Sequence, residues 1–517
     1  MSAIDRRPED SPIHTTRIRL ICVIAITGLI GCGAPTPASV TNVTIDGGDR
    51  TVEVGGALTL TATVTATGNA TRTITWGSSN TDVATINPVG VVTNLSAGNT
   101  IITATSTSDP TKSDSISLTV VDSGSGHGWT RQFGTSTDDE VNGVATDANG
   151  NVYVAGSTSG ALEEGSDSGS TNAFIRSYDG DGNHRWTRQF GTSGFDLALG
   201  IAADANGNVY AAGFTTGALE GSNLGDNDAF IRSYDSNGNH RWTRQFGTSA
   251  YDVVNGIATD AAGNVYVGGD TYGAFVGDQL GDSDAFVRSY DNNGQLRWTR
   301  QFGTSAYDEV NGIATDADGN VYVTGSTGGA LDGTFAGGRD AFVRSYDNNG
   351  DHRWTRQFGT SAPNVSFAIA TDANGNVFAA GYTMSALEGV HAGDNDAFIR
   401  SYDSVGAHRW TVQFGTSEDD MALGVATDAN GHVFATGYTR GTLDGATSAG
   451  GFDAYLRSYD GEGDLRWTRQ FGTVSIDQAQ AVATDVTGNV YAVGRTNGAL
   501  EGTNLGDYDA FIRKYGP

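Results

Sequence analysis

From Val40 onward, apolar and polar residues alternate with a period of two in short runs, and Gly, Asn and Asp punctuate them. Leu58-Thr-Leu-Thr-Ala-Thr-Val64, Thr73-Ile-Thr-Trp76 and Thr100-Ile-Ile-Thr-Ala-Thr105 are the clearest in the N-terminal part. Successive side chains of a strand point to opposite faces, so this alternation predicts half-buried strands, enriched here in Thr and Val. Between 40 and 121 the pattern predicts a small β-sandwich, with Trp76 as its core aromatic.

Beyond Gly128 the same alternation becomes periodic on a longer scale. The heptapeptide Trp-Thr-Arg-Gln-Phe-Gly-Thr begins at Trp129, Trp186, Trp242, Trp298, Trp354, Trp410 and Trp467, at intervals of 56 or 57 residues, with Val412 replacing Arg in one copy. Each interval holds four strand-like runs, for example Gly312–Asp316, Asn320–Gly325, Asp340–Asp347 and His352–Phe358, the first two joined by a hairpin turn. Seven units of four short strands predict an all-β, seven-bladed propeller. The first copy supplies only a Trp strand, and the last stops at Asp509-Ala-Phe-Ile-Arg-Lys-Tyr-Gly-Pro517 without one. Pairing the two would close the ring and remove two exposed sheet edges.

Closure fixes the faces. Tight turns such as Asp316–Asn320 and Asp347–Gly350 share one face, while the inter-blade loops and the long variable loops share the other, where a ligand is expected. Two acidic positions per blade also fall there. One precedes the inner strand (Asp139, Asp196, Asp252, Asp308, Asp420 and Asp477, with Asn364 in the remaining copy). The other opens the third strand (Asp228, Asp284, Asp340, Asp396, Asp453 and Asp509, with Asn172 in the remaining copy). Carboxylates ringed around a channel would suit Ca²⁺. The exchange of Asp with Asn favours capping of loop N–H groups instead. The Asp147-Ala-Asn-Gly-Asn151 hairpins are one position too short for a calcium loop and read as Asx turns. His127, His184, His240, His352 and His408 stand two residues before a Trp, but Leu296 and Leu465 replace them elsewhere, so they are expected to pack rather than bind metal. Trp186, Arg188 and Phe190 share one strand face, so the guanidinium is expected against aromatic rings between blades, with core packing preferred to a sugar-binding stripe.

The net charge of −29, with Lys112 and Lys514 the two lysines, argues against nucleic-acid or anionic-membrane binding. At the N-terminus, Arg17 and Arg19 precede the apolar stretch Leu20–Ile30, which has the length of a signal-peptide core and is too short to span a bilayer. Leu29-Ile30-Gly31-Cys32 resembles the bacterial lipobox, which implies cleavage before Cys32 and acylation of its thiol. Cys22 would leave with the signal, so the exported chain would have neither a disulfide nor a free thiol for chemistry. The expected organisation is a signal peptide over 1–31, a tether over 32–39, the sandwich over 40–121, a linker over 122–127 and the propeller over 128–517. The tether reaches no more than about 25 Å at roughly 3.5 Å per residue.

Two further resemblances rest on motifs. Val54-Gly-Gly56, Trp76-Gly-Ser-Ser-Asn80, Asp82-Val-Ala-Thr-Ile86 and Ser96-Ala-Gly98 resemble the group 2 bacterial immunoglobulin-like domain, in which such domains often serve as surface spacers. The repeat, Asp-x-x-Gly-Asn-Val-Tyr-Val-x-Gly followed by Asp-Ala-Phe-Ile-x-x-Tyr and Gly-x-x-x-Trp, resembles the SBBP bacterial β-propeller repeat, which implies a fold and an exported setting. These point to a monomeric, lipid-anchored envelope protein, at the outer membrane or cell surface, that uses its loop face to bind a protein or glycan. Tyr-Asp-x-x-Gly-x-x-x-Trp also resembles the blade motif of quinoprotein dehydrogenases, but those rings normally have eight blades and many use a cysteine pair absent here. A purely structural envelope role is the other alternative. No Ser/His/Asp order, metal-spaced His pair or out-of-register carboxylate pair interrupts the repeats, so the chain is expected not to be an enzyme and to hold no cofactor, Ca²⁺ aside.

Overall fold

The computed structural model describes residues 37–517 apart from 49, 54–56, 82, 95–97, 122–126, 164–169 and 447. The signal segment, Cys32 and most of the expected tether lie outside the described residues. Every regular element described is a strand, and no described helix is long and apolar enough to cross a membrane. The chain forms two compact units, divided within the segment 122–126.

In the first unit, Ser39–Ile45 pairs with Ala62–Thr67. A four-stranded sheet runs in the order Arg50–Glu53, Ser113–Val121, Gly98–Ser106, Ile74–Ser78, and a three-stranded sheet in the order Ala57–Thr59, Val91–Asn94, Ala84–Ile86. The inward residues of the alternating runs, among them Val43, Leu60, Ile102, Ala104 and Leu118, form one buried core. Trp76 packs against that core from its edge, partly buried.

The second unit contains seven four-stranded antiparallel sheets. In the fourth, the strands are Asp308–Thr315, Val321–Thr327, Asp340–Tyr346 and His352–Phe358, from the channel outward. The inner strand begins at Asp308 rather than at Gly312. A bulge between Val310 and Gly312 resets the alternation, so its first half is out of phase with its second. The last sheet takes Asp477–Thr484, Val490–Thr496 and Asp509–Tyr515 from the C-terminal end and His127–Phe133 from the other end of the unit, with Phe133 opposite Ala510. Inner strands contact their neighbours all the way round, the first against the last included, so the ring is closed.

Hydrophobic clusters lie between successive sheets. Trp242 and Phe246 of one pack with Val254, Val265, Phe286 and Tyr290 of the next, and the first and last sheets share Phe133, Ile512, Val141 and Phe174. The inner strands approach closely enough that a β-carbon on Gly143 would lie 3.1 Å from the backbone nitrogen of Ile201. A chain of threonine hydroxyls ties them together. Thr146 donates to the Thr484 carbonyl, Thr484 to Thr427, Thr427 to Thr371, Thr371 to Thr315, Thr315 to Thr259 and Thr259 to Ala203.

The invariance of the heptapeptide now has a cause, seen in Trp242–Thr248. The Trp242 indole N–H donates to the carbonyl of Asn292 and Arg244 Nε to that of Gly294, both in the outer hairpin of the next sheet. Gly294 adopts φ +76°, and a β-carbon there would lie 2.9 Å from the indole, so the turn and the tryptophan require each other. The Thr243 hydroxyl meets His240 Nε2 at 2.9 Å, and that imidazole stands edge-on to Tyr234. Gln245 donates to the Gly217 carbonyl and to Asp228, and accepts from Leu219 N–H. Arg288 of the next sheet covers the Phe246 ring at 4.4 Å. The Trp–Arg–Phe faces therefore pack between sheets, as their pattern suggested, whereas His184, His240, His352 and His408 are exposed at the start of the outer strand, each edge-on to a tyrosine.

Candidate functional site

The aspartates singled out by their repetition do not ring the channel. They stand in pairs at the junctions between sheets: Asp228 with Asp252, Asp284 with Asp308, Asp396 with Asp420, Asp453 with Asp477 and Asp509 with Asp139, each pair astride a heptapeptide glycine. Asn172 with Asp196 and Asp340 with Asn364 complete the set. All are buried. Asp252 Oδ2 accepts the Thr248 N–H at 2.5 Å and the Thr248 hydroxyl at 2.9 Å, and Oδ1 accepts Thr271. Asp228 Oδ2 accepts Gln245 and the Leu224 N–H at 2.8 Å, while Oδ1 faces Gly247, whose β-carbon would sit 2.5 Å away. Burial raises the Asp252 carboxyl, the threonine donors oppose that, and the neighbouring Asp228 adds to it. The donors on these carboxylates are loop N–H groups, threonine hydroxyls and a glutamine amide, the capping role that the exchange of Asp with Asn favoured. Among the described residues no group of three or more His, Cys, Asp or Glu is placed to share an ion. The expectation of a carboxylate ring around the channel is thus corrected: the bulge turns the channel wall over to Asn142, Leu199, Asn255, Asn311, Phe367, Leu423 and Gln480.

The turn aspartates on the opposite face do what their spacing suggested. Asp147 Oδ1 accepts the N–H groups of Asn149 and Asn151, and Oδ2 accepts the Asn151 amide and the Tyr153 hydroxyl. Burial works against ionisation there, but these donors outweigh it and hold the carboxyl below its usual range.

Repeat symmetry breaks at the mouth of the channel on the long-loop face. The pairing of Asp139 with Thr158, and of Thr158 with Asn172, puts the start of the inner strand, the end of the second and the start of the third at one end of each sheet. There the penultimate residue of the second strand is Ser157, Phe214, Asp270, Ser326, Tyr382, Tyr438 and Arg495 in successive sheets. Phe214, Tyr251, Tyr272 and Tyr307 form an arc of ring contacts with centroids 5.7–6.3 Å apart, ending in Arg339, which lies 4.7 Å over Tyr307. Phe195 is 58% exposed, Tyr251 39% and Tyr272 38%. Beneath the arc, Glu309 accepts from Ser326 at 2.8 Å, Asn311 at 3.3 Å and Arg339 at 3.3 Å, and Asp270 accepts from Asn255 at 3.1 Å. Burial, with Glu309 nearby, pushes the Asp270 carboxyl up to about 7. On the other side of the mouth, Arg495 bonds Glu140 at 3.0 Å and Gln478 at 2.9 Å and lies 4.8 Å over Tyr508.

The expectation that no out-of-register carboxylate pair interrupts the repeats is therefore corrected by Asp270 and Glu309. They sit on the third and fourth sheets, 39 residues apart, and meet because successive sheets stack face to face. Aligning the seven copies position by position would have flagged them, because they vary where the rest of the repeat is constant.

Comparison with known proteins agrees with this architecture. The bacterial Ig-like domain (group 2) family matches residues 39–116, and the SBBP beta-propeller repeat family matches 128–162, 241–275, 297–331, 353–387 and 466–501. The chain thus carries a group 2 bacterial Ig-like domain followed by SBBP-type propeller repeats. Regulatory protein FlaEY of Caulobacter vibrioides is 29% identical over 205 residues, covering 35% of this chain and 21% of FlaEY. An uncharacterised WD repeat-containing protein of Acanthamoeba polyphaga mimivirus is 22% identical over 531 residues, covering 75% of this chain and 38% of that protein. The chain spans well under half the length of either relative. A solved ulvan lyase of polysaccharide lyase family PL25 is 14% identical with a TM-score of 0.40, covering 75% of this chain and 96% of that one. The expectation that the chain is not an enzyme is corrected as well, because it rested on the absence of a carboxylate pair that breaks the repeat, and Asp270 with Glu309 is such a pair.

Proposed function

We propose that the chain is an exported envelope lipoprotein, anchored through Cys32, whose propeller binds a glycan or protein at the mouth of its long-loop face. The observation that carries this reading is the contrast within one repeat. The heptapeptide and the outer strands are nearly constant, whereas the mouth varies between Ser, Phe, Asp, Tyr and Arg from sheet to sheet and gathers exposed aromatic rings beside fixed charges. Loops and strand ends on a rigid ring are where binding residues accumulate, and aromatic residues dominate recognition surfaces. A screen of the purified chain on glycan and surface-protein arrays tests it, with Tyr272→Ala as the control. Binding that the substitution weakens at least tenfold supports the mouth as the site; binding that it leaves untouched places the ligand elsewhere. Metabolic labelling with palmitate, lost in Cys32→Ala, checks the anchor.

A second reading follows from Asp270 and Glu309. Two carboxyls whose surroundings hold one protonated near neutral pH and leave the other paired with Arg339 are suited to acid–base work on a bound ligand. Release of reducing ends or unsaturated products from polysaccharides, abolished by Glu309→Gln, would support it.

A further inference from the structure

Five of the seven sheets carry a bulky side chain at the penultimate place of the second strand or just after that strand: Phe214, Tyr272, Tyr382, Tyr438 and Arg495. The other two carry small residues at both, Ser157 with Ser159 and Ser326 with Gly328. In the fourth sheet the gap is filled, because Arg339 folds over Tyr307 and pairs with Glu309. In the first sheet the residues that correspond to Arg339 and Tyr307 are Thr171 and Asp138, which are too short to fill it. A cavity of about 280 Å³ results, between the last sheet and the second.

The walls of this cavity are chemically two-sided. Phe195, more than half exposed, and Leu197 form an apolar wall. Facing them is a polar wall of Arg495, Glu140, Ser157 and Asp138. Its geometry is fixed in advance: Glu140 Oε2 accepts from Arg495, Glu140 Oε1 accepts from Ser157 at 3.2 Å, and Arg495 rests on Tyr508. A sugar ring has this same division, with C–H groups on its faces and hydroxyls around its edge. Carboxylates accept from hydroxyls, and a guanidinium with donors to spare gives to them. Arg495 is neutralised by Glu140, and Asp138 adds a further negative charge, so the cavity does not favour an anion. Pockets for drug-sized ligands run about 300–1,000 Å³, which makes this one a site for a single ring.

We propose that this cavity binds one uncharged hexopyranose unit of a glycan. The proposal rests on the reading that the mouth binds a ligand, and specifies its class. Phe195 stacks on the ring face, while Glu140, Asp138 and Arg495 hold the hydroxyls.

The test uses the purified chain with methyl glycosides of glucose, galactose and mannose, and with sodium glucuronate, read by saturation-transfer NMR and calorimetry. The expected result is binding of at least one neutral glycoside and at least tenfold weaker binding of glucuronate. Ser159→Tyr fills the cavity with the residue that the third sheet carries at that place, Tyr272, so the fold accommodates it; its melting temperature verifies this. It should abolish glycoside binding, and Phe195→Ala should weaken it at least tenfold. No glycoside binding by the parent chain, unaltered binding in Ser159→Tyr, or preference for glucuronate would each overturn the proposal. If a longer glycan or a protein binds in a Tyr272-dependent manner that Ser159→Tyr leaves unchanged, the cavity proposal fails while the mouth reading stands.

Discussion

Asp270 shows how one side chain departs from a repeat and what that costs. An aromatic residue at this place gains from burial, whereas a carboxylate loses its water for the Asn255 amide and a backbone N–H in return. Its folded value of about 7 lies above the ordinary 3.8. Between roughly pH 4 and pH 7 the native state therefore holds a proton that the unfolded chain releases, and stability falls as pH rises through that window. Asp270→Asn should remove this slope. In urea titrations it should exceed the parent stability at pH 8 by up to a few kcal/mol, with the difference shrinking towards pH 4. Glycine makes a second residue-scale case. Gly238 adopts φ +78°, and its missing β-carbon would lie 2.7 Å from the Trp186 ring, whereas Gly221 adopts φ +73° beside open space. Gly238→Ala should cost about 2–4 kcal/mol, combining left-handed strain with a ring clash, and Gly221→Ala about 1–2 kcal/mol, strain alone. The spacing of these glycines marks a turn in the sequence; the ring that needs one of them belongs to the neighbouring sheet and appears only in the fold.

At the scale of the strand, the repeat's pattern gave correct elements with one systematic displacement. Period-two alternation located the second, third and fourth strands of each sheet because both of their faces pack against neighbouring sheets or loops in phase. The inner strand starts four residues before its clean alternation does, since the bulge after Val310 breaks the phase and only hydrogen bonding reveals that pairing continues. The same strand carries the chain of threonine hydroxyls, which has one missing link. Ala203 accepts from Thr259 but has no hydroxyl to pass on to the Thr146 carbonyl. Ala203→Thr should complete the circle and stabilise the ring by about 0.5–1.5 kcal/mol in thermal or urea unfolding. The outer strand holds a comparable gap at Val412, where six other copies place an arginine. Restoring it should return the bond that Arg356 makes to the Gly406 carbonyl one sheet earlier, in this case to Gly463.

For the whole molecule, closure decides stability and function together. The strand His127–Phe133 supplies Trp129 and Phe133 to the layer between the last and first sheets. Deleting residues 127–134 should lower the melting temperature of the propeller by roughly 10 °C or more, given ~3–5 kcal/mol for each large aromatic lost from a core; an unchanged melt would argue against closure. Closure also determines which residues meet. Arg495 and Glu140, 355 residues apart, meet only because the last sheet packs on the first, and within a single copy of the repeat neither differs from a surface charge. The aspartates attracted attention because they repeat, yet repetition marks what every junction needs, namely a cap for the loop that follows the heptapeptide. The amino-acid sequence by itself determined the strands, their number and the circular order of the sheets, because alternation, turn residues and a fixed period act locally and recur. The tertiary structure alone decided where the symmetry fails to fill space, leaving a cavity beside Ser159. That outcome depends on whether the side chain at the end of the long loop, Arg339 in the fourth sheet and Thr171 in the first, is long enough to reach across the mouth.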